Sequence, residues 1–299
     1  MESILEISGL HKSYGNFSLQ DISFSLPEGC ITGFIGINGA GKTTTLRTIL
    51  GLTSRLSGDI RVFGMDMKTN EKKIKERIGI VLDGGGFYDD LSLLEMKSIV
   101  ASAYKSWDEV VYRRYIDRFS LNQKQKITDL SKGMRMKYAL ALALSHKAEL
   151  LIMDEPTSGL DPLIRRQLLD ILKEFMDNGG RGVFFSTHIT SDLDKIADML
   201  IMIDNGKIIF QEEKDFLLDS YRIVKGDLKN LTKDMENLFM NLSKTAFGFT
   251  GITNQLETVK KAIPDVLIER IQIEDVMLCN IKGGKNNVNA IGEKRLSAG

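Results

Sequence analysis

At 299 residues, with 42% hydrophobic and 27% charged residues, the chain has the composition of an ordinary soluble globular protein of one or two domains, long enough to bury a sizeable core. Forty basic residues balance forty acidic ones, so the formal net charge is zero and no global field exists for gripping nucleic acid, which is not an expected partner. No uninterrupted apolar run approaches the ~18 residues of a membrane span, and Met1 to Glu6 lacks the basic start and apolar run of a secretory signal, so work at a membrane requires a partner that spans it.

Ile4 to Ile7 and Phe17 to Leu26 alternate apolar with polar residues, the pattern of strands with one face on a core. Between them, Lys12-Ser13-Tyr14-Gly15 sets one aromatic ring in a turn, where it either stacks on a purine face or covers a sheet edge. Pro27-Glu28-Gly29 turns into Cys30 to Ile35, a short, partly β-branched run suited to a buried strand. Next comes Gly36-Ile37-Asn38-Gly39-Ala40-Gly41-Lys42-Thr43, which fits G-x-x-x-x-G-K-[ST] at every fixed position, and a helix can start from Thr43. In that strand-loop-helix setting, glycines let backbone N–H groups wrap phosphate oxygens, and the helix N-terminus adds favourable partial charge. Asn38, Gly39, Ala40, Gly41, Lys42, Thr43 and Thr44 are therefore the candidate phosphate site, with Lys42 reaching the β and γ phosphates and the Thr43 hydroxyl ligating magnesium.

Further along, Gly58 to Gly64 reads as a strand, Glu71 to Arg77 as a charged helical turn, and Ile78 to Leu82 as a strand ending in a flexible Asp83-Gly84-Gly85-Gly86 link. Apolar residues recur at helical spacing from Ser92 to about Ser102 and from Glu109 to Phe119, with Asp108 as N-cap of the second, so a helical region is inserted into the α/β layer. Leu130-Ser131-Lys132-Gly133-Met134 opens an apolar-rich helix whose N-terminus can face an anion. Leu150 to Met153 reads as a buried parallel strand, and Asp154-Glu155 at its carboxyl end sit where ligands bind in open α/β sheets. Metal ligation and water activation are natural roles for that pair. Beyond the loop Pro156 to Pro162, Arg165 to Met176 is an amphipathic helix, and Val183 to Thr187 is again an apolar strand, followed by His188.

Asp198 to Ile203 and Lys207 to Phe210 form a hairpin, because Asn205-Gly206 suits a type I′ turn. The main domain is expected over 1–220, with its helical subdomain at about 84–147. A small α+β appendage follows over 221–282, with strand-like runs at Tyr221 to Val224, Ala246 to Thr250 and Val266 to Ile273 and helical runs at Leu228 to Leu242 and Asn254 to Ala262. Residues 283–299 turn polar and unpatterned, the composition of a disordered tail. Cys30 and Cys279 lie far apart without metal-ligand spacing and read as small core residues under reducing conditions.

With these pieces in order, the sequence resembles the ATP-binding-cassette ATPases, specifically the nucleotide-binding subunit of an ABC transporter, over about Met1 to Ser220. Tyr14 matches the adenine-stacking aromatic, Gly36 to Thr43 the Walker A loop, Leu130 to Met134 the signature usually written LSGGQ, Leu150 to Asp154 Walker B, Glu155 the catalytic glutamate, Ser158 to Asp161 the D-loop and His188 the switch histidine. The resemblance implies an α/β P-loop NTPase cassette with a helical subdomain, here carrying a small C-terminal α+β appendage. It also implies a head-to-tail dimer, of identical or different cassettes, that sandwiches two ATP molecules, each on one Walker A loop and covered by the facing chain's Ser131, Lys132 and Gly133. In that mechanism Glu155 orients or deprotonates the attacking water, Asp154 and Thr43 hold magnesium, and His188 bonds the γ-phosphate.

Two positions depart from the family pattern. A glutamine usually closes the strand before the helical region; here that position is Asp83, and no glutamine occurs from Asp21 to Asn122. Asp83 either joins the magnesium shell when the site closes or caps the glycine turn. The signature carries Lys132 and Met134 where Gly and Gln are commoner, and Lys132 either adds charge near phosphates or points to solvent. The LSKGM signature, the Asp and the appendage are similar to the multidrug, antibiotic or peptide export group. The implied subunit is cytoplasmic and peripheral on the inner face of the membrane, with an integral membrane permease docking near Phe87, Tyr88 and the helix from Ser92. A soluble ABC ATPase acting on ribosomes or DNA is the competing reading, although the chain has neither a second cassette nor a coiled-coil insertion. An unrelated GTPase or kinase is disfavoured, since no N-K-x-D motif is present.

Overall fold

The computed structural model describes residues 2–84 and 86–282. Gly85 of the glycine link and the expected tail 283–299 lie outside them. The chain opens with β1 (Ser3–Tyr14), β2 (Phe17–Pro27), β3 (Ile31–Ile35), α1 (Lys42–Ile49), β4 (Ser57–Val62), β5 (Met65–Asp66), α2 (Met67–Lys75) and β6 (Ile78–Val81). A helical segment follows with α3 (Leu93–Ala103), α4 (Glu109–Arg118) and α5 (Lys132–Leu144). The chain then returns to the sheet through β7 (Leu150–Asp154), α6 (Pro162–Met176), β8 (Gly182–Thr187), α7 (Thr190–Ile196), β9 (Met199–Asp204), β10 (Lys207–Glu213) and α8 (Lys214–Ser220).

Two sheets enclose the first core. β2-β1-β4-β5 is antiparallel, and β10-β9-β3-β8-β7-β6 is parallel except for the final β9-β10 hairpin. The inward residues of the first sheet, among them Ile7, Leu10, Ile22 and Phe24, meet Phe34, Ile152, Phe184 and the buried face of α1. Phe34 and Phe184 pack at 5.3 Å between ring centroids, which fixes β3 against β8 from this side. The opposite face of the larger sheet is covered by α5, α6, α7 and the helical segment. Burial on both faces explains why β3, β7 and β8 read as largely apolar runs, with polar side chains collecting at the carboxyl ends of β7 and β8.

The helical segment starts with a capping box, Ser92 with Glu95, and Asp108 caps α4 by accepting from Val110 and Val111 N–H. The buried Tyr138 hydroxyl donates to the Leu93 carbonyl at 2.7 Å, tying α5 to α3. Asn205 and Gly206 both take positive φ, as the hairpin turn requires. Three segments differ from the sequence expectation. β1 runs on to Tyr14, so that residue ends a strand instead of occupying a turn. Likewise α6 starts at Pro162, because Asp161 caps it and Pro suits the first turn.

The third difference lies in the appendage, which contains β11 (Arg222–Gly226), β12 (Asn241–Thr245), β13 (Gly248–Thr253), α9 (Leu256–Ala262), β14 (Leu267–Arg270) and α10 (Ile273–Lys282), with sheet order β12-β13-β11-β14. The run Leu228 to Leu242, expected to be helical, forms two short 3₁₀ segments at Leu228–Asn230 and Lys233–Leu238 before β12. Its apolar spacing suits either helix type, since residues three apart align in both, while Asn and Thr within the run favour short turns. Leu228, Leu231, Met235 and Leu238 pack on the small core of Val224, Phe239, Phe249, Val259 and Ile263. Helix α10 returns to the main body, where Ile273, Val276 and Met277 share a core with Leu193 and Ile196 of α7. Among the described residues no helix is long and apolar enough to cross a membrane.

Candidate nucleotide site

Three adjacent parallel strands deliver the site. β3 feeds the glycine loop, β7 ends in Asp154, and β8 ends in Ser186 and Thr187, with Ile35 beside Thr187 and Ser186 beside Asp154. Two of the loop glycines are sterically required. A Cβ on Gly36 would strike the Ile203 carbonyl oxygen, and Gly41 combines φ of 117° with a Cβ position 2.8 Å from Leu19 Cδ2. Gly41 also occupies the cap position of α1, and no side chain caps that helix, so its first N–H groups are left for an anion.

Lys42 is buried and folds back over the loop, donating to the Gly36 carbonyl at 2.8 Å and lying 3.3 Å from Glu155 Oε1. The second Glu155 oxygen accepts from His188 Nδ1 at 2.8 Å, leaving Nε2 as the ring's other hydrogen-bonding atom. Glu155 takes a left-handed backbone, φ 49°, uncommon for a residue with a side chain, and its N–H bonds the Ser186 carbonyl at 3.0 Å. One oxygen of the buried Asp154 carboxylate accepts from Thr43 Oγ1 at 3.1 Å and from Ser186 Oγ at 2.6 Å. Lys42, Thr43, Asp154, Glu155 and His188 are thus brought together, as a hydroxyl and carboxylate pair next to a cation-carboxylate-imidazole chain. This set can neutralise phosphate, supply hard oxygen ligands and hold a water-activating base.

Other predicted residues lie in separate contacts. Tyr14 is half-exposed, its hydroxyl 2.8 Å from Thr53 Oγ1 and its ring 4.6 Å from Lys12 Nζ, a cation-π contact on a ring that remains open to solvent. Ser131 caps α5 by accepting from Met134 N–H at 3.2 Å, which leaves its own proton to donate. The Asp161 carboxylate is engaged at the start of α6, accepting from Leu163 and Ile164 N–H. Asp83 pairs with Lys132 at 3.5 Å and, among the described residues, neither bonds the glycine turn nor joins the Thr43 and Asp154 contacts.

The family model described as ABC transporter matches residues 19–158. The bacitracin transport ATP-binding protein of Bacillus licheniformis is 34% identical over 223 residues, covering 73% of this chain and 72% of that protein. This chain belongs to the ATP-binding proteins of ABC transporters. It is an ATPase subunit that serves transport. The Nod factor export ATP-binding protein of Cupriavidus pinatubonensis is 32% identical over 226 residues, covering 74% of this chain and 69% of that protein. A solved dimeric ATP-binding cassette bound to ADP and phosphate shares the fold, with a TM-score of 0.63 at 20% identity over 70% of this chain and 98% of that one.

Within this ABC subunit, sequence reasoning missed Ser186. Ser186 is wholly buried and links Asp154 to Glu155, its hydroxyl donating to the Asp154 carboxylate and accepting from the Glu155 backbone N–H at 3.2 Å. The available signal was a pair of hydroxyl residues, Ser186-Thr187, ending an otherwise apolar strand. Gly133 of the signature is buried, not open, and a Cβ there would come within 2.6 Å of Ile164 Cδ1, so a glycine lets α5 approach α6. Beside the helical segment a cleft of about 220 Å³ is lined by Ile80, Leu82, Phe87, Met96 and Tyr104 among others, and Tyr88 stands exposed near it. At its floor the buried His146 stacks on Tyr104 at 3.8 Å, and burial pushes its pKa down to about 4.

Proposed function

We propose that this ABC subunit binds Mg-ATP at the glycine loop, pairs with a second cassette around it, and powers export through a separate membrane permease. The observation that carries the reading is the Glu155 carboxylate held between Lys42 and His188 beside the Thr43 and Asp154 oxygens. In this reading the N–H groups from Asn38 to Thr44 cradle the phosphates, Tyr14 stacks on adenine, Glu155 is the base toward water, and His188 steadies the γ-phosphate. Thr43 and Asp154, 3.1 Å apart, are hard oxygen donors of the kind magnesium takes when phosphates supply further ligands. Magnesium would neutralise charge on the transferred phosphoryl group. Asp83 would join these oxygens on closure.

The signature residues Ser131, Lys132 and Gly133 would cover the nucleotide of the facing cassette, with Asp161 in the D-loop between the two sites. A second copy is the simplest partner, and a different cassette is equally compatible. Export is supported by the likeness to the Nod factor export protein, and the cleft at Phe87, Met96 and Tyr104 suits a helix of the permease. The subunit would then be cytoplasmic and peripheral to the membrane, built as a cassette over 1–220, with its helical subdomain at about 84–147, plus an appended domain over 221–282. Co-purification with a membrane protein, followed by cargo-stimulated ATP turnover that is lost in Glu155→Gln, tests it. Turnover indifferent to Glu155 would overturn it.

A further inference from the structure

The two positions where this chain departs from the family pattern touch each other. Lys132 Nζ lies 3.5 Å from Asp83 Oδ1, and one helical turn further along, Arg135 Nη1 lies 2.9 Å from Asp89 Oδ1. Residues three apart share a helix face, so α5 presents both cations together to two carboxylates on the loop that leaves β6. Lys132 also lies against the D-loop, since a Cβ on Gly159 would be 3.3 Å from its Nζ. A cleft of about 310 Å³, lined by Leu82, Asp83, Gly84, Lys132, Arg135 and Met136 among others, separates the loop from the helix. Across this cleft charges make the bridge, while further along the loop Phe87 packs on Tyr138 of α5 at 5.3 Å between ring centroids.

An aspartate in place of a neutral amide adds negative charge where β6 ends beside β7, whose Met153 is level with Val81 and precedes Asp154 and Glu155. A lysine in place of glycine adds the compensating positive charge. Either change alone leaves an unbalanced charge near a polyanion site, whereas the two together balance. We propose that Asp83 and Lys132, supported by Asp89 and Arg135, form a clasp between the Asp83 loop and the signature helix that nucleotide opens. This rests on the nucleotide-sandwich reading above. Within one chain the pair satisfies itself. When Mg-ATP binds, Asp83 turns to the metal-bearing site of its own chain, and Lys132 turns to the triphosphate held by the facing cassette. A chain thereby completes its own site in the same movement that frees a cation for its neighbour.

The test has two arms on the full chain. Without nucleotide, backbone hydrogen exchange over 86–92 should run about threefold faster in Lys132→Met and in Arg135→Met than in the parent, the size expected for losing an exposed pair that belongs to a network. In a Glu155→Gln background, the Mg-ATP concentration for half-maximal pairing, read by sedimentation, is measured for Asp83→Gln, Lys132→Gly and both together. The double variant should depart at least about threefold from the product of the single shifts. Unchanged exchange, or shifts that simply multiply, overturns the clasp. A Glu155→Gln parent that never pairs at any Mg-ATP concentration overturns the sandwich reading and the clasp with it; normal pairing with multiplicative shifts overturns the clasp alone.

Discussion

Lys42 Nζ sits 3.3 Å from Glu155 Oε1, so the lysine proposed to meet phosphate and the carboxylate proposed to act on water satisfy each other. His188 occupies the other carboxylate oxygen at 2.8 Å. In the proposed function, a triphosphate entering the glycine loop would compete with Glu155 for Lys42, and its arrival would release the carboxylate. On that reading, substrate binding and arming of the base would be one exchange of partners.

Glu155→Gln keeps the side-chain shape while removing the charge that holds Lys42. ATP turnover should fall at least ~100-fold, the usual scale for losing a positioned base, while ATP binding tightens because Lys42 no longer has a competing anion. Single-turnover kinetics and a nucleotide-binding isotherm check both halves. Equal weakening of binding and turnover would contradict the exchange.

Ser186→Ala removes the 2.6 Å donor from a carboxylate that is only 3% exposed. Leaving that acceptor short of a partner should cost about 1–3 kcal/mol of stability. With Thr43 as its remaining partner, Asp154 loses its fixed orientation, and the magnesium concentration for half-maximal turnover should rise several-fold. Denaturant midpoints and a magnesium titration measure the two effects separately.

His146 makes stability depend on pH. The unfolded imidazole takes a proton near 6.5, whereas burial holds the folded one neutral down to about 4. The unfolded state therefore binds more protons between those values, and stability falls as pH falls through that window. At about 1.4 kcal/mol per pH unit, the loss from pH 7 to 5 is up to about 2 kcal/mol. His146→Phe retains a ring against Tyr104 and should flatten the dependence, as urea unfolding at the two pH values would reveal.

The glycine loop, the carboxylates ending β7, the histidine after β8 and the Asn-Gly hairpin were legible because each is written in consecutive residues with a local steric or chemical reason. Ser186 was not, since its importance comes from lying level with Asp154 across two strands, a register that no single strand's pattern contains. The link between Asp83 and Lys132 was hidden for the same reason, with 48 residues of chain between two that fold side by side. In the appendage, Leu228 to Leu238 misled because spacing by three and four residues identifies an apolar face without fixing which helix carries it.

Mixing two disabled chains tests the central claim most directly. Lys42→Ala spoils a chain's own phosphate loop, and Ser131→Arg spoils the signature it offers to its neighbour, so neither variant alone should turn over ATP. If each nucleotide is held by one chain's loop and the facing chain's signature, a mixed pair contains one intact site, and an equimolar mixture should recover about a quarter of wild-type activity. A mixture no more active than the two variants measured separately would contradict the account.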